Sequence, residues 1–150
     1  DIVVDKNEQF EALGGRKILE VVAKEFYDRL YEHPWLSKFF EEIPQERIEK
    51  QQVDFMQAAL GGPNVYCGSL PIPAHQHIYI DEEMFDLRQV ILIEALKKCG
   101  SSTELIDKWL KIDSSFKSRI VKSSIAECEK RFFTDNILAF PNPKDQRKAA

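Results

Sequence analysis

Apolar residues recur along most of the chain at the three- and four-residue intervals of amphipathic helices. The first clear stripe follows the glycines at 14–15 and ends at the His-Pro pair at 33–34, because a residue before proline avoids the helical region. A second stripe opens at Pro44, as a first-turn proline, and stops at the Gly-Gly-Pro of 61–63. The stripe positions are Leu19, Val22, Ala23, Phe26, Tyr27 and Leu30, and then Ile48, Gln52, Phe55, Met56 and Ala59.

The second half of the chain carries two further helical patterns. Asp81 is placed to cap a helix that includes the apolar run VILIEAL at 90–96 and ends at Cys99-Gly100. A buried strand at 90–93 is the alternative, although the flanking residues keep helical spacing. One of residues 101–103 then caps a last long helix that carries Leu105, Trp109, Ile112, Phe116 and Ile120. The pattern therefore predicts an all-α fold with no second domain.

The length and the net charge of the chain limit the classes of function that it can have. The 150 residues fit one domain, and a net charge of −4 argues against a nucleic-acid partner. No apolar run is long enough to span a bilayer, so we expect no membrane partner. Cys67, Cys99 and Cys128 have neither zinc-site nor redox-pair spacing, which favours reduced thiols and a cytoplasmic location. The chain does not begin with methionine, so a leader peptide removed before residue 1 remains an alternative.

Three polar side chains stand where the pattern favours apolar residues. Tyr27 and Gln52 lie on helical stripes, and His75 follows two prolines in a segment of small and apolar residues. Each has a structural interpretation, as a core tyrosine, a glutamine at the edge of a stripe and a core histidine. A structural zinc site needs about four ligands, which are not present at His75. Haem needs only one axial imidazole, with hydrogen-bond donors on the opposite face, so a haem pocket would use all three residues.

The chain resembles the truncated haemoglobins, the short two-over-two helical globins, and is most similar to their first group. The resemblance runs from about Glu8 to about Phe116. It rests on several motifs together, of which the ALGGP with its upstream glutamine and downstream histidine is the most specific. The motifs are LGG at 13–15, FYDRL at 26–30, HPWLSKFF at 33–40, QQVDFMQAALGGP at 51–63, YCG at 66–68 and AH at 74–75.

The resemblance assigns roles to individual residues. It implies that His75 is the proximal ligand of haem iron and that Tyr27 and Gln52 donate hydrogen bonds to oxygen bound on the distal side. Gln51 stands where many relatives have a lysine that reaches a haem propionate or the iron, and Ile48 occupies the position of the distal histidine of ordinary globins. The residues expected to pack on the haem or to line the ligand path are Phe26, Phe39, Phe40, Phe55, Met56 and Tyr66.

Two features depart from the family pattern. Pro71 and Pro73 should shorten and stiffen the turn that delivers His75, while His77 is expected at the surface or beside a propionate, with ligation by His77 as the alternative. Residues 1–118 then form the globin domain, and residues 119–150 form a C-terminal helical extension and flexible tail of the same domain. The extension would carry an apolar stripe that packs on its own domain or on a partner. The stripe residues are Ile120, Ile125, Cys128 and Phe132, and the tail is loose from about Phe140.

The function expected from the resemblance follows from these roles. A five-coordinate iron in haem b would bind O₂, CO and NO reversibly and could oxidise nitric oxide to nitrate with an external reductase. The alternative is a haem-based gas sensor, or a helical interaction module that uses the extension. The oligomeric state is left open.

Overall fold

The computed structural model describes residues 5–145. Across this range the chain forms seven α-helices, two 3-10 turns and one isolated parallel bridge between Ile78 and Leu138, which confirms the predicted all-α class. The helices are α1 Lys6–Ala12, α2 Gly15–Glu32, α3 Gln45–Ala59, α4 Pro71–His75, α5 Glu82–Lys98, α6 Thr103–Ser114 and α7 Lys117–Ile120, and the 3-10 turns are Leu36–Phe40 and Ile125–Glu127.

Helix α2 lies at the centre of the fold and packs against α1, α3, α5 and the first 3-10 turn. Its apolar stripe is the predicted one, and Leu19, Val22 and Ala23 are completely buried. The sharp turn from α1 into α2 needs positive φ at two successive residues, Gly14 and Gly15, and glycine adopts that conformation without steric cost. The stripe therefore forms the core onto which the other helices pack.

Local capping signals place the helix ends as the sequence indicates. The carboxylate of Asp81 accepts a hydrogen bond from the Met84 N–H at 2.8 Å, and the Ser102 hydroxyl accepts one from Leu105 at 3.1 Å. The run at 90–96 lies inside α5, so it is a helix and not a strand. Pro44 differs slightly from the prediction, because it occupies the capping position just before α3 and not the first turn.

The predicted last long helix is interrupted. Helix α6 ends at Ser114, where the Ser115 hydroxyl donates to the Ile112 carbonyl at 2.6 Å, and only the short α7 follows. A hydroxyl that bonds to the preceding turn competes with continuation of the helix. The continuous stripe expected up to Ile120 is therefore broken before Phe116.

The predicted helix in the C-terminal extension is wrong. From residue 121 to residue 142 the chain is non-helical except for the 3-10 turn Ile125–Glu127, and Phe132 is exposed. We call residues 121–141 the strap, because their backbone forms hydrogen bonds with residues 76–80. The strap's bonds to this segment run from Lys122 N–H to Ile80 O (2.8 Å), Glu129 N–H to Gln76 O (2.8 Å), Leu138 N–H to His77 O (2.9 Å) and Tyr79 N–H to Leu138 O (2.8 Å).

The end of the strap is also more ordered than expected. The Phe140 ring packs edge-on against Phe39, with their centroids 5.0 Å apart, and the Phe140 carbonyl accepts a hydrogen bond from the Trp35 indole at 2.6 Å. Long-range packing thus replaces the loose tail predicted from about Phe140. The rest of that predicted tail, at 146–150, lies outside the described residues.

A buried carboxylate joins α2 and α3. Asp54 is only 4% exposed and is paired with Arg16 at 2.9 Å and with Lys50 at 2.6 Å. Burial alone would raise the pKa of Asp54, but the hydrogen bonds from Lys50 and Arg16 outweigh it and lower the pKa. The ionised form of Asp54 is therefore the form that stabilises the contact between the two helices.

Asp54→Asn removes this charge and keeps the size of the side chain. We expect a loss of about 1–3 kcal/mol in the free energy of unfolding at neutral pH, because two cations lose a buried partner. Since the folded pKa of Asp54 is lowered, its stabilisation is present above the unfolded pKa and is lost as pH falls through the folded pKa. Urea unfolding of both proteins over the acid range measures the difference.

Asp107→Asn is the matched control, because Asp107 is exposed on α6 and the change in net charge is the same. The control should alter stability little at any pH. Equal losses in the two variants would contradict the role of Asp54.

Candidate haem-binding site

His75 is the last residue of the short helix α4, and not part of a loop as the sequence suggested. The two prolines favour this helix because a first-turn residue needs no N–H and proline already has a helical φ. The Nδ1–H of His75 donates to the carbonyl of Pro71 at 2.5 Å, one helical turn earlier. With Nδ1 engaged in this way, Nε2 is the nitrogen left to act as a ligand.

The protonation state of His75 suits a ligand. Burial lowers its pKa to about 4, the hydrogen bond to Pro71 opposes that shift, and the positive charge of Arg88 adds to it. The imidazole is therefore neutral at physiological pH, as a metal ligand must be. His75 is half-buried, so protein atoms do not cover the whole residue.

Tyr27 presents an unpaired hydroxyl within the core. The residue is 6% exposed, and its ring contacts Phe26 at 5.0 Å and Phe40 at 6.1 Å. Among residues 5–145 its hydroxyl makes no hydrogen bond, whereas the Tyr31 hydroxyl, one turn later, donates to the Ile43 carbonyl at 2.8 Å. Burial raises the pKa of Tyr27, so the hydroxyl stays protonated and remains a donor.

Helix α3 carries the three other predicted distal residues. Gln52 and Ile48 are half-buried, and Gln51 is exposed. The Gln52 amide makes no hydrogen bond within the described part of the chain, in contrast to the buried Gln57, which donates to the Pro63 carbonyl at 2.8 Å. Gln52 is thus a second polar group without a protein partner.

The residues predicted to pack on the haem make three separate sets of contacts in the structure. Phe26 and Phe40 flank Tyr27, whereas Phe39 packs on the strap through Phe140. The remaining contacts lie on α3: Phe55 packs against Tyr66 at 5.4 Å and Phe116 at 6.0 Å, and Met56 is 1% exposed.

His77 is not the surface residue that the sequence predicted. It is only 6% exposed, because the strap covers it and its carbonyl accepts the Leu138 N–H at 2.9 Å. Its Nδ1 is buried and has no hydrogen-bond partner among residues 5–145. The predicted surface position of His77 is therefore wrong, and its predicted place beside a propionate stays a prediction.

The strap supports the segment that carries His75. The Lys122 ammonium donates to the carbonyls of His75 (3.1 Å), Ile78 (2.8 Å) and Ile120 (3.2 Å). His75 ends α4 and Ile120 ends α7, so Lys122 ties the two helix ends together, and it shares the His75 carbonyl with the Ile78 N–H at 3.0 Å. Sequence reasoning missed Lys122, since a single lysine in a polar segment gives no local signal.

A buried ion pair was also missed. Arg88 on α5 and Asp113 on α6 form two hydrogen bonds, and Asp113 is 9% exposed. The signal was present, because each charge occupies an apolar stripe: Arg88 follows Met84 by four residues, and Asp113 follows Trp109 by four. Opposite charges on the stripes of two consecutive helices indicate a buried pair.

Comparison with known proteins identifies the family. The model of the bacterial-like globins matches residues 8–122, well over half of the chain. The chain belongs to the bacterial-like globin family. Within this globin family the chain is 36% identical over 101 residues to the group 1 truncated hemoglobin GlbN of Mycolicibacterium paratuberculosis, which covers 67% of this chain and 74% of that protein. It is also 31% identical over 103 residues to the group 1 truncated hemoglobin of Tetrahymena thermophila, covering 69% and 85% of the two chains.

Solved structures agree with this family. The globin fold of this chain superposes on the truncated hemoglobin of Tetrahymena pyriformis in its Fe(III) form with a TM-score of 0.68 and 26% identity, covering 76% of this chain and 97% of that one. The group II truncated hemoglobin of Bacillus anthracis gives a TM-score of 0.70 at 21% identity, with 81% and 94% covered, which shows the shared fold. The predicted truncated-globin fold is confirmed.

Membership of the globins implies haem-based binding of small gas ligands such as oxygen. The residues present fit a haem group, because His75 offers a neutral imidazole whose Nε2 makes no hydrogen bond among residues 5–145, and the buried Tyr27 offers a hydroxyl that likewise has no partner there. The family match ends at residue 122, so most of the strap is an addition to the matched globin region. No helix within residues 5–145 is long and apolar enough to cross a membrane.

Lys122→Met removes the donor to the His75 and Ile78 carbonyls. We expect the haem-loaded variant to lose haem faster and to show a shifted or broadened iron–histidine stretching band, because the imidazole is held less firmly. Haem transfer to an acceptor protein measures the rate, and resonance Raman spectra of the ferrous form measure the band. Lys122→Arg should restore part of both, since a guanidinium also donates to carbonyls.

Lys130→Met tests whether any lysine on the strap has this effect. Lys130 is exposed, and only its backbone carbonyl bonds, to Gln76. The control should match the unaltered protein in both measurements. An unchanged Raman band in Lys122→Met would show that Lys122 does not position His75.

Proposed function

We propose that this chain holds haem b through Nε2 of His75 and binds dioxygen reversibly through it, together with CO and NO. The observation that carries the proposal is the combination of a neutral imidazole, oriented by Pro71, with the hydroxyl of Tyr27, a buried residue whose hydroxyl has no partner among residues 5–145. When bound, haem would supply a ferrous iron, which is the chemistry that takes up diatomic gases. The protein supplies the orientation of the imidazole, the polar donors and the exclusion of water.

The polar donors decide which gases are held strongly. The Tyr27 hydroxyl is protonated, and together with the Gln52 amide it can donate hydrogen bonds to a gas that carries partial negative charge. In a low-dielectric pocket such bonds are stronger than in water. Dioxygen becomes more polar than carbon monoxide on ferrous haem, so the donors favour dioxygen. The resulting slow release of oxygen suits chemistry or sensing better than bulk transport.

Oxidation of nitric oxide to nitrate is the reaction that we propose for this pocket. Combining NO with O₂ to form nitrate takes up one electron in each turnover, so a reductase has to return the iron to its ferrous state. The three cysteines are unpaired, which supports a cytoplasmic location where such a reductase operates.

Gas sensing through the strap is the second candidate function. One observation favours it: the strap binds the segment that carries His75 and also exposes Phe132 (66%) and Phe133 (96%). A change at the imidazole would then reach a surface that a partner could contact. Slow oxidation of NO in the presence of excess reductant, compared with fast ligand binding, would favour this candidate over the dioxygenase.

His75→Ala should abolish stable haem binding, because the only proposed protein ligand is lost. Added imidazole should restore the absorption bands by occupying the space of the missing ring. His77→Ala should keep the haem, although its thermal midpoint should fall because a buried ring is removed. Gel filtration followed by absorption spectra of the ferric, ferrous and carbonyl forms measures retention.

The two histidines are only two residues apart, so comparing haem retention in the two variants shows which histidine is the ligand. Circular dichroism should show that both variants are folded. Equal haem retention by the two folded variants, or restoration by imidazole only in His77→Ala, would reject His75 as the ligand.

Tyr27→Phe should speed the release of oxygen roughly tenfold or more, since a hydrogen bond to a strongly polarised acceptor contributes about 1–3 kcal/mol. Gln52→Leu should have the same effect to a smaller degree. Release of carbon monoxide should change little, because bound CO is less polar. Stopped-flow measurements with both gases give the rates.

Tyr31→Phe is the matched control on the same helix. Its hydroxyl is already engaged with the Ile43 carbonyl, so its loss should affect stability more than gas release. If Tyr27→Phe changes the release of both gases alike, the pocket shape has changed and the hydrogen bond is not the cause.

A further inference from the structure

The buried ion pair between Arg88 and Asp113 has a fixed geometry. Nη1 of Arg88 lies 2.9 Å from one carboxylate oxygen of Asp113, and Nη2 lies 2.6 Å from the other. The Gln89 amide donates to the same carboxylate at 3.1 Å and to the Ser114 hydroxyl at 2.8 Å. Asp113 is therefore held in place from α5 by two residues, and it orients the guanidinium.

Aromatic rings bound the guanidinium on other sides. Its central carbon lies 5.5 Å from the centroid of the Phe26 ring and also 5.5 Å from that of Phe85, which are cation–π distances. Only two of the five N–H groups of Arg88 are used by residues 5–145, both on Asp113. Nε–H and one hydrogen on each Nη remain as donors.

The free donors lie near the candidate haem site. Phe26 connects the two, because its ring contacts both Arg88 and Tyr27. The charge of Arg88 also helps to lower the pKa of His75 and acts on Tyr27, so the guanidinium is close to the residues proposed for both faces of the haem. The Arg88 side chain is 26% accessible, so protein atoms do not enclose all of its free donors.

A pair in this position needs an explanation other than stability. Taking two charges out of water is costly, and well-packed apolar residues are often equally stabilising in their place. The other side chains of these two stripes, such as Leu92 and Trp109, are apolar and fully packed. Retained donors beside a ligand pocket point to a ligand that uses them.

We propose that Arg88 gives the ligand pocket a site for small inorganic anions, with nitrite and nitrate as the representative class. A guanidinium presents parallel N–H donors that match the oxygens of planar oxyanions. Asp113 holds the guanidinium in the orientation that directs these donors. Its negative charge balances the charge of Arg88 when no anion is bound. The inference rests on the proposed function, because oxidation of nitric oxide forms nitrate and that product would meet Arg88.

The test compares an anionic with a neutral ligand on the full-length, haem-loaded ferric protein. Nitrite and imidazole are each titrated while the absorption spectrum is followed, so that affinity is measured without turnover. Arg88→Met should weaken nitrite binding roughly tenfold or more, because a charge-assisted hydrogen bond is lost, and should leave imidazole binding unchanged. Arg119→Met is the matched control, since it makes the same change in net charge at an exposed residue.

Arg88→Met leaves the buried Asp113 carboxylate without its partner and could therefore fail to fold, so a second variant is needed. Arg88→Met combined with Asp113→Leu removes both charges and should fold, bind haem and show the same selective loss of nitrite binding. Unchanged nitrite affinity, or an equal loss for nitrite and imidazole, in the variants that fold would overturn the inference. If the unaltered protein takes up no haem, the proposed function itself fails and this inference fails with it.

Discussion

Residues 75–80 depend on hydrogen bonds that they cannot make among themselves, and the position of His75 depends on those residues. Helix α4 is a single turn that begins with two prolines, so it has few N–H groups and stops at the predicted ligand. Buried carbonyls that follow it must still be satisfied. The strap supplies the donors, through its backbone and through Lys122. The position of the His75 backbone thus rests on the strap, most of which lies beyond the part of the chain that matches the family.

The sequence predicts best what local chemistry decides. Asp81 and Ser102 cap their helices through bonds to residues three positions away, and the stripe of α2 is visible from spacing alone. Spacing failed in the extension, where Ile125 and Phe132 fit a helical stripe but lie exposed on a non-helical segment. The backbone there bonds to residues that precede it by 42 to 61 positions, and no local pattern contains that information.

The residues of the candidate site likewise include some that the sequence predicts and some that it does not. Tyr27, Gln52 and His75 stand out because each interrupts an apolar pattern, and the family resemblance gave them roles. Arg88 and Asp113 interrupt such patterns too, but each looks like an isolated exception until the two helices are placed side by side. The burial of His77 could not be predicted, because its carbonyl bonds to Leu138 of the strap, 61 residues later in the chain.

The strap is synthesised after the residues that it contacts, which determines when its contacts can form. Lys122 lies 47 residues after His75, and the Phe140 carbonyl that binds Trp35 lies 105 residues after that tryptophan. A chain emerging from the ribosome can therefore assemble α1 to α6 before the strap exists, since domains fold as their residues appear. At that stage the histidine is present but its carbonyl support is absent. The strap can therefore position His75 only after translation has passed residue 141, although α1 to α6 can form earlier.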